Sequence, residues 1–132
     1  MILEIDPTSD VAIYQQIRDR LVEAIARGEL AVGQQVSSVR ALAGAFGINV
    51  ATVQKAYDLL RREGLLRTTS KSGSVVARGP ASGPPADAVV AQWRERMSTV
   101  LAEARAQGVP DEVVLAQCRE VVEGFARVRE GS

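Results

Sequence analysis

At 132 residues, with 46% apolar and 24% charged side chains and equal numbers of acidic and basic ones, the chain has room for one domain and an appendage, not for two full cores. It has no apolar run long enough to span a bilayer, no basic leader ahead of an apolar stretch, one cysteine and no histidine. This argues against a membrane protein, a disulfide scaffold or a zinc site, makes the cytoplasm the expected compartment, and leaves neither catalysis, a metal nor a cofactor expected.

In chain order, Tyr14, Ile17, Leu21 and Ile25 recur at three- and four-residue intervals opposite Gln15, Arg18, Asp19 and Glu23, the pattern of an amphipathic helix. Asp10 is the expected cap region and Gly28 the stop. "AVGQQV" has no periodicity and reads as a connection. Ser37 or Ser38 then caps a shorter helix through Val39, Leu42 and Ala43 that ends near Gly47. Asn49 caps a third helix, in which Val53, Ala56, Tyr57 and Leu60 fall at i, i+3, i+4 and i+7, and Gly64 supplies its left-handed stop. "LLRTT" and "GSVVA", separated by "SKS", read as a β-hairpin with Lys71, Ser72 and Gly73 at its tip.

"RGPASGPPA", from Arg78 to Ala86, holds three of the five prolines and resists both helix and sheet, which marks a linker. Beyond it one helical stripe runs through Val89, Val90, Trp93, Met97, Val100, Leu101 and Ala104. After "GVP" a second runs through Val113, Val114, Cys118, Val121, Val122 and Phe125. Two such helices cannot enclose a core by themselves, so each stripe needs a partner surface. A second copy of the chain is the expected partner, with Val90, Trp93, Met97, Val100, Leu101, Val114, Cys118, Val121, Val122 and Phe125 at the dimer interface. The competing arrangement folds the hairpin back on the first domain. Cys118, on the apolar stripe, reads as a small core residue and Trp93 as an interface anchor.

The expected fold is therefore mainly α with a small β-hairpin: a winged helix-turn-helix domain at 1–78, a linker at 79–86 and a two-helix dimerisation tail at 87–132. In a winged helix-turn-helix the third helix lies in the DNA major groove. Between Gln35 and Arg78, seven basic residues stand against two acidic ones, whereas beyond Gly79 acidic residues outnumber basic ones by eight to six. A positive middle on a neutral chain fits a polyanionic partner. On the outer leading surface of the third helix, Gln54 can pair with adenine and Val50 and Ala51 can touch a thymine methyl, while Thr52 and Lys55 can reach phosphate.

Residues Ala12 to Ala77 resemble the GntR family of bacterial transcription regulators through "IYQQIRDRLVEAIARGEL", "SSVRALAGAFGINVATVQKAYDLLRREGLL" and "SGSVVA". The run Asn49, Thr52, Val53, Gln54, Lys55, Ala56 and Tyr57, with the short tail, is similar to the YtrA subfamily. The resemblance implies that Arg40 reads a guanine, that positions 50 to 52 and 54 enter the major groove, and that Gly73 approaches the minor groove. The candidate DNA-binding set is Ser38, Arg40, Asn49, Val50, Ala51 and Thr52, then Gln54, Lys55, Tyr57, Lys71, Ser72 and Gly73. Three departures fall on contact-bearing turns: Ser37 and Val50 stand where the family often has proline, and Lys71-Ser72-Gly73 replaces a Gly-basic-Gly tip. Val75 stands in place of a wing phenylalanine.

The implied protein is a homodimeric repressor on a palindromic double-stranded DNA operator, acting on its own or a transporter operon. A small-molecule effector would bind between subunits or between tail and winged domain, since one helical hairpin encloses no pocket. The alternative is a winged-helix protein-interaction adaptor without specific DNA binding.

Overall fold

The protein is described from a computed structural model that covers residues 3–69 and 73–130, with side chains described as far as Ala126. Among these residues the elements run α1 (Ile13–Ala26), α2 (Val39–Phe46), α3 (Val50–Arg62), β1 (Leu66–Thr69), β2 (Gly73–Val76), α4 (Asp87–Ala106) and α5 (Asp111–Glu130). They form two compact units, Met1–Ser82 and Gly83–Ser132. The limit between them falls inside the expected linker at 79–86, where Ser82 N donates to Gly79 O and Gly79 N to Ser82 Oγ. No helix among the described residues is long and apolar enough to cross a membrane.

The helix ends in the first unit follow from local chemistry. Ser38 Oγ accepts the Ala41 amide at 3.1 Å and Asn49 Oδ1 accepts the Ala51 amide at 2.8 Å, so each side chain satisfies a donor that the first helical turn leaves open. Gly47 at φ 64° ends α2 and Gly64 at φ 78° follows α3, both in the left-handed region that a side chain rarely adopts.

The start of α1 is a correction. Its N-cap is Ala12, without a side-chain cap, so Asp10 does not cap the helix; Gln16, 5% exposed, instead holds the segment that leads into it. Gln16 Oε1 accepts from the Asp6 amide at 2.7 Å, while its Nε2 donates to Asp6 O at 2.9 Å and Val11 O at 2.8 Å. One buried amide thus straps the N-terminal segment to the helix, and Leu3 and Ile5 follow it onto the core.

α3 packs against both α1 and α2. Its Val53, Tyr57 and Leu60 join Ile17 and Leu21 of α1 and Val76 of β2 as the largest side chains shut off from water. Arg18 of α1 ties down the far end of α3 through a two-point pair with Glu63, Nε donating to Oε1 at 3.0 Å and Nη2 to Oε2. That pairing, with help from Asp19, holds the guanidinium proton more tightly than usual despite partial burial.

β1 and β2 pair antiparallel with Leu66 opposite Val76 and Thr69 opposite Gly73. The stretch read as a plain connection adds a third rung: Val76 N donates to Gln34 O and Val36 N to Ser74 O, both at 3.0 Å, with Gln35 bridged to Val75. β2 is therefore hydrogen-bonded on both edges, and Ser74, Val75 and Val76 are buried.

In the second unit α4 and α5 contact each other. Val109 N donates to Ala104 O at 3.0 Å at the turn, and Arg105 Nη1 reaches Asp111 Oδ1 at 3.1 Å. Met97, Leu101 and Ala104 on α4 and Val114 and Cys118 on α5 are half-buried, at spacings that keep each set on one helix face. No side chain of α4 is buried.

Candidate nucleic-acid interface

Val53, Ala56, Tyr57 and Leu60 form the inward face of α3. At 3.6 residues per turn the opposite face carries Ala51, Gln54, Lys55, Asp58, Arg61 and Arg62, and these six line one shallow surface groove. Asn49, Val50, Ala51 and Lys55 are exposed, and Thr52 and Gln54 half-exposed. The polar or small leading edge expected of a groove-reading helix is thus displayed to solvent, with its first turn fixed by the Asn49 cap.

Ser38 and Arg40 are exposed at the head of α2. Arg40, Arg62 and Arg67 have no carboxylate partner among the described residues, which leaves their charge available to an outside anion. Lys55 is held differently: its Nζ sits 4.0 Å from the centroid of the Tyr14 ring, so α1 steadies the ammonium without neutralising it. Gly73 opens β2 at φ 81°. Lys71 and Ser72 lie outside the described residues.

Tyr57 does not belong to this surface. It is 1% exposed, and its hydroxyl donates to Ser37 O at 2.6 Å, tying α3 to the residue before the α2 cap. Burial pushes the phenol up to about 12, partly offset by the Arg61 charge. Its place in the motif reflects core packing and the positioning of α2 against α3.

Sequence reasoning missed Asp58, Arg61 and Ser74. Gln54 Nε2 donates to Asp58 Oδ1 at 2.9 Å, Arg61 Nη2 donates to the same oxygen at 3.0 Å, and Arg61 Nη1 donates to Ser74 Oγ at 2.9 Å. The first two links were visible as i, i+4 and i, i+3 pairs on the outer face. The third depends on where β2 returns.

The sequence profile of the bacterial regulatory proteins of the gntR family matches residues 13–76, from the first residue of α1 to the last of β2. The GntR-family transcription factor YtrA from Sulfolobus acidocaldarius is 35% identical, with a TM-score of 0.62 over 80% of this chain and 99% of that one. The chain belongs to the GntR family. The transcriptional repressor YtrA of Bacillus subtilis (strain 168) is 37% identical over 75 residues, 57% of this chain and 58% of the repressor, so the match spans less than two thirds of that relative. A transcriptional antiterminator from Listeria monocytogenes EGD-e is 25% identical with a TM-score of 0.83 over 92% of this chain and 93% of that one, a likeness that takes in the helical tail of this GntR member as well. These relatives are named for transcriptional control and not for an enzymatic activity.

Proposed function

We propose that the protein is a sequence-specific transcriptional repressor that binds a palindromic DNA operator as a homodimer. The observation that carries the reading is α3 itself: a helix clamped from behind by Val53, Tyr57 and Leu60, capped by Asn49, and presenting Val50, Ala51, Thr52 and Gln54 outward. A side chain reads a base edge only when its backbone is held still, and this helix is held at both ends.

In this reading Arg40 and Gln54 contact bases, Lys55, Arg62 and Arg67 contact phosphate, and the tail pairs two copies through Trp93, Val100, Val121 and Val122. Two-fold pairing requires two half-sites in inverted orientation. The YtrA relatives, a transcriptional repressor and a transcription factor, support regulation of transcription, and a transporter operon is the expected target of a YtrA-like member.

A gel shift with the DNA upstream of the gene tests the reading, after selection of bound duplexes from a random pool to define the operator. The expected result is a sequence-dependent shift that weakens steeply with salt and is lost in the double variant Arg40→Ala, Gln54→Ala, whose dimer stays intact. Absence of any sequence-dependent shift at physiological ionic strength overturns it, and an adaptor role would then follow from unchanged partner capture by the double variant.

A further inference from the structure

The carboxylate of Asp58 lies near the middle of the outer face of α3, among Lys55, Arg61 and Arg62 and directly opposite the buried row. A negative charge facing a phosphate-rich duplex weakens binding to every sequence alike. Its hydrogen bonds give it a second consequence. Asp58 Oδ1 takes one of the two N–H groups of the Gln54 amide at 2.9 Å, and the same oxygen is fixed by Arg61, which is anchored to Ser74 on β2, 6% exposed.

A glutamine amide can turn its oxygen and nitrogen end for end. With Nε2 facing the carboxylate, the opposite orientation would set the carbonyl oxygen against a negative charge, so the pair selects one orientation. That orientation leaves Oε1 and the second N–H without a partner among the described residues, the acceptor and donor that adenine N6–H and N7 require. Holding them in place before DNA arrives removes an ordering cost from binding.

We propose that Asp58 is a specificity-determining positioning residue: it fixes the Gln54 amide in one reading orientation through a chain anchored to the wing, while its charge lowers affinity for DNA of every sequence. The inference rests on the reading of α3 as the base-contacting helix. It also makes two effects of one substitution move in opposite directions. Asp58→Ala should strengthen binding to random-sequence duplex while weakening discrimination at the base pair that Gln54 reads. A merely structural role would not produce that split. The Asp58 side chain is 54% exposed, so replacing it leaves the core untouched.

The test uses the full chain and duplexes carrying each of the four base pairs at the position where Gln54→Ala relaxes preference, with a random-sequence duplex alongside. Asp58→Ala should reduce the preference for the favoured pair roughly fivefold or more, raise random-duplex affinity, and have no further effect on that preference in the Gln54→Ala background. Asp58→Asn loses the charge but keeps an acceptor, because Arg61 Nη2, a donor, holds the amide oxygen rather than the nitrogen at the shared position. It should retain the preference while still binding random duplex more tightly. An unchanged preference in Asp58→Ala overturns the inference alone, as does an equal loss across all four pairs. Sequence-dependent binding by the wild type with no base preference altered by Gln54→Ala removes the Gln54 contact and the inference with it. Absence of sequence-dependent binding by the wild type overturns the functional reading itself.

Discussion

In Met1–Ser82 the side chains of Ile17, Val53 and Leu60 are completely shielded from water, whereas along α4 none is buried and Trp93 keeps 55% of its surface, Val100 59% and, on α5, Val122 66%. Both regions carry the same three-and-four spacing of apolar residues. The difference lies in what each stripe meets. In the first unit three helices and a hairpin close around one another, so every stripe finds its partner within the chain. In the tail, a half-buried line through Met97, Leu101, Val114 and Cys118 leaves a second line in solvent. Under the proposed function that exposed apolar line is the surface that pairs with a second copy. The stability of the winged unit is then a property of the single chain, and that of the tail a property of concentration.

Substitutions of comparable side chains in the two regions should therefore be felt in different measurements. Leu60→Ala, at a site with no exposure, should cost the winged unit about 2–5 kcal/mol in urea unfolding, through lost burial and the cavity left behind. A cost under about 1 kcal/mol would mean that the core of this unit is not closed as described. Trp93→Ala, at 55% exposure, should leave the unfolding of the winged unit unchanged and raise the dimer dissociation constant roughly 30-fold or more in sedimentation equilibrium. An unchanged dimer, or a wild type that stays monomeric at high concentration, would remove the tail as the pairing surface.

The smallest effect separates position from charge at the joint between α2 and α3. Tyr57→Phe should cost about 1 kcal/mol at neutral pH, because Ser37 O loses its donor. The wild-type phenol is raised to about 12 from its ordinary 10.0. The folded state therefore holds this proton more tightly than the unfolded one. The associated stability is complete below pH 10 and falls as pH rises through the folded value near 12. Unfolding measured across that window should show an alkaline loss in the wild type that Tyr57→Phe lacks. Identical pH dependence in the two would mean that Tyr57 is not buried.

The same contrast explains how much was legible in the sequence. Ser38, Asn49 and Gly64 act within a few residues of themselves, and each stands where its spacing predicted. Gln16 and Asp6 are ten residues apart, and nothing local favours that pairing over an Asp10 cap. Gln34–Val36 has no alternation because it borrows its partner from β2, forty residues on. Tyr57 sits in a motif that mixes outward Thr52, Gln54 and Lys55 with buried Val53 and Ala56, and its own register places it with the buried pair. The pairs of Asp58 with Gln54 and Arg61 were written in the helix spacing, whereas the link to Ser74 needed the hairpin to be in place.

The central claim is that the leading edge of α3 enters a DNA groove, and site-directed photocrosslinking tests it most directly. A photoreactive residue in place of Ala51, on the full chain bound to its selected duplex, should crosslink to bases within each half-site, while the same probe in place of Val122 on α5 should not. Crosslinks from position 122 and none from position 51, with sequence-dependent binding intact, would contradict the account.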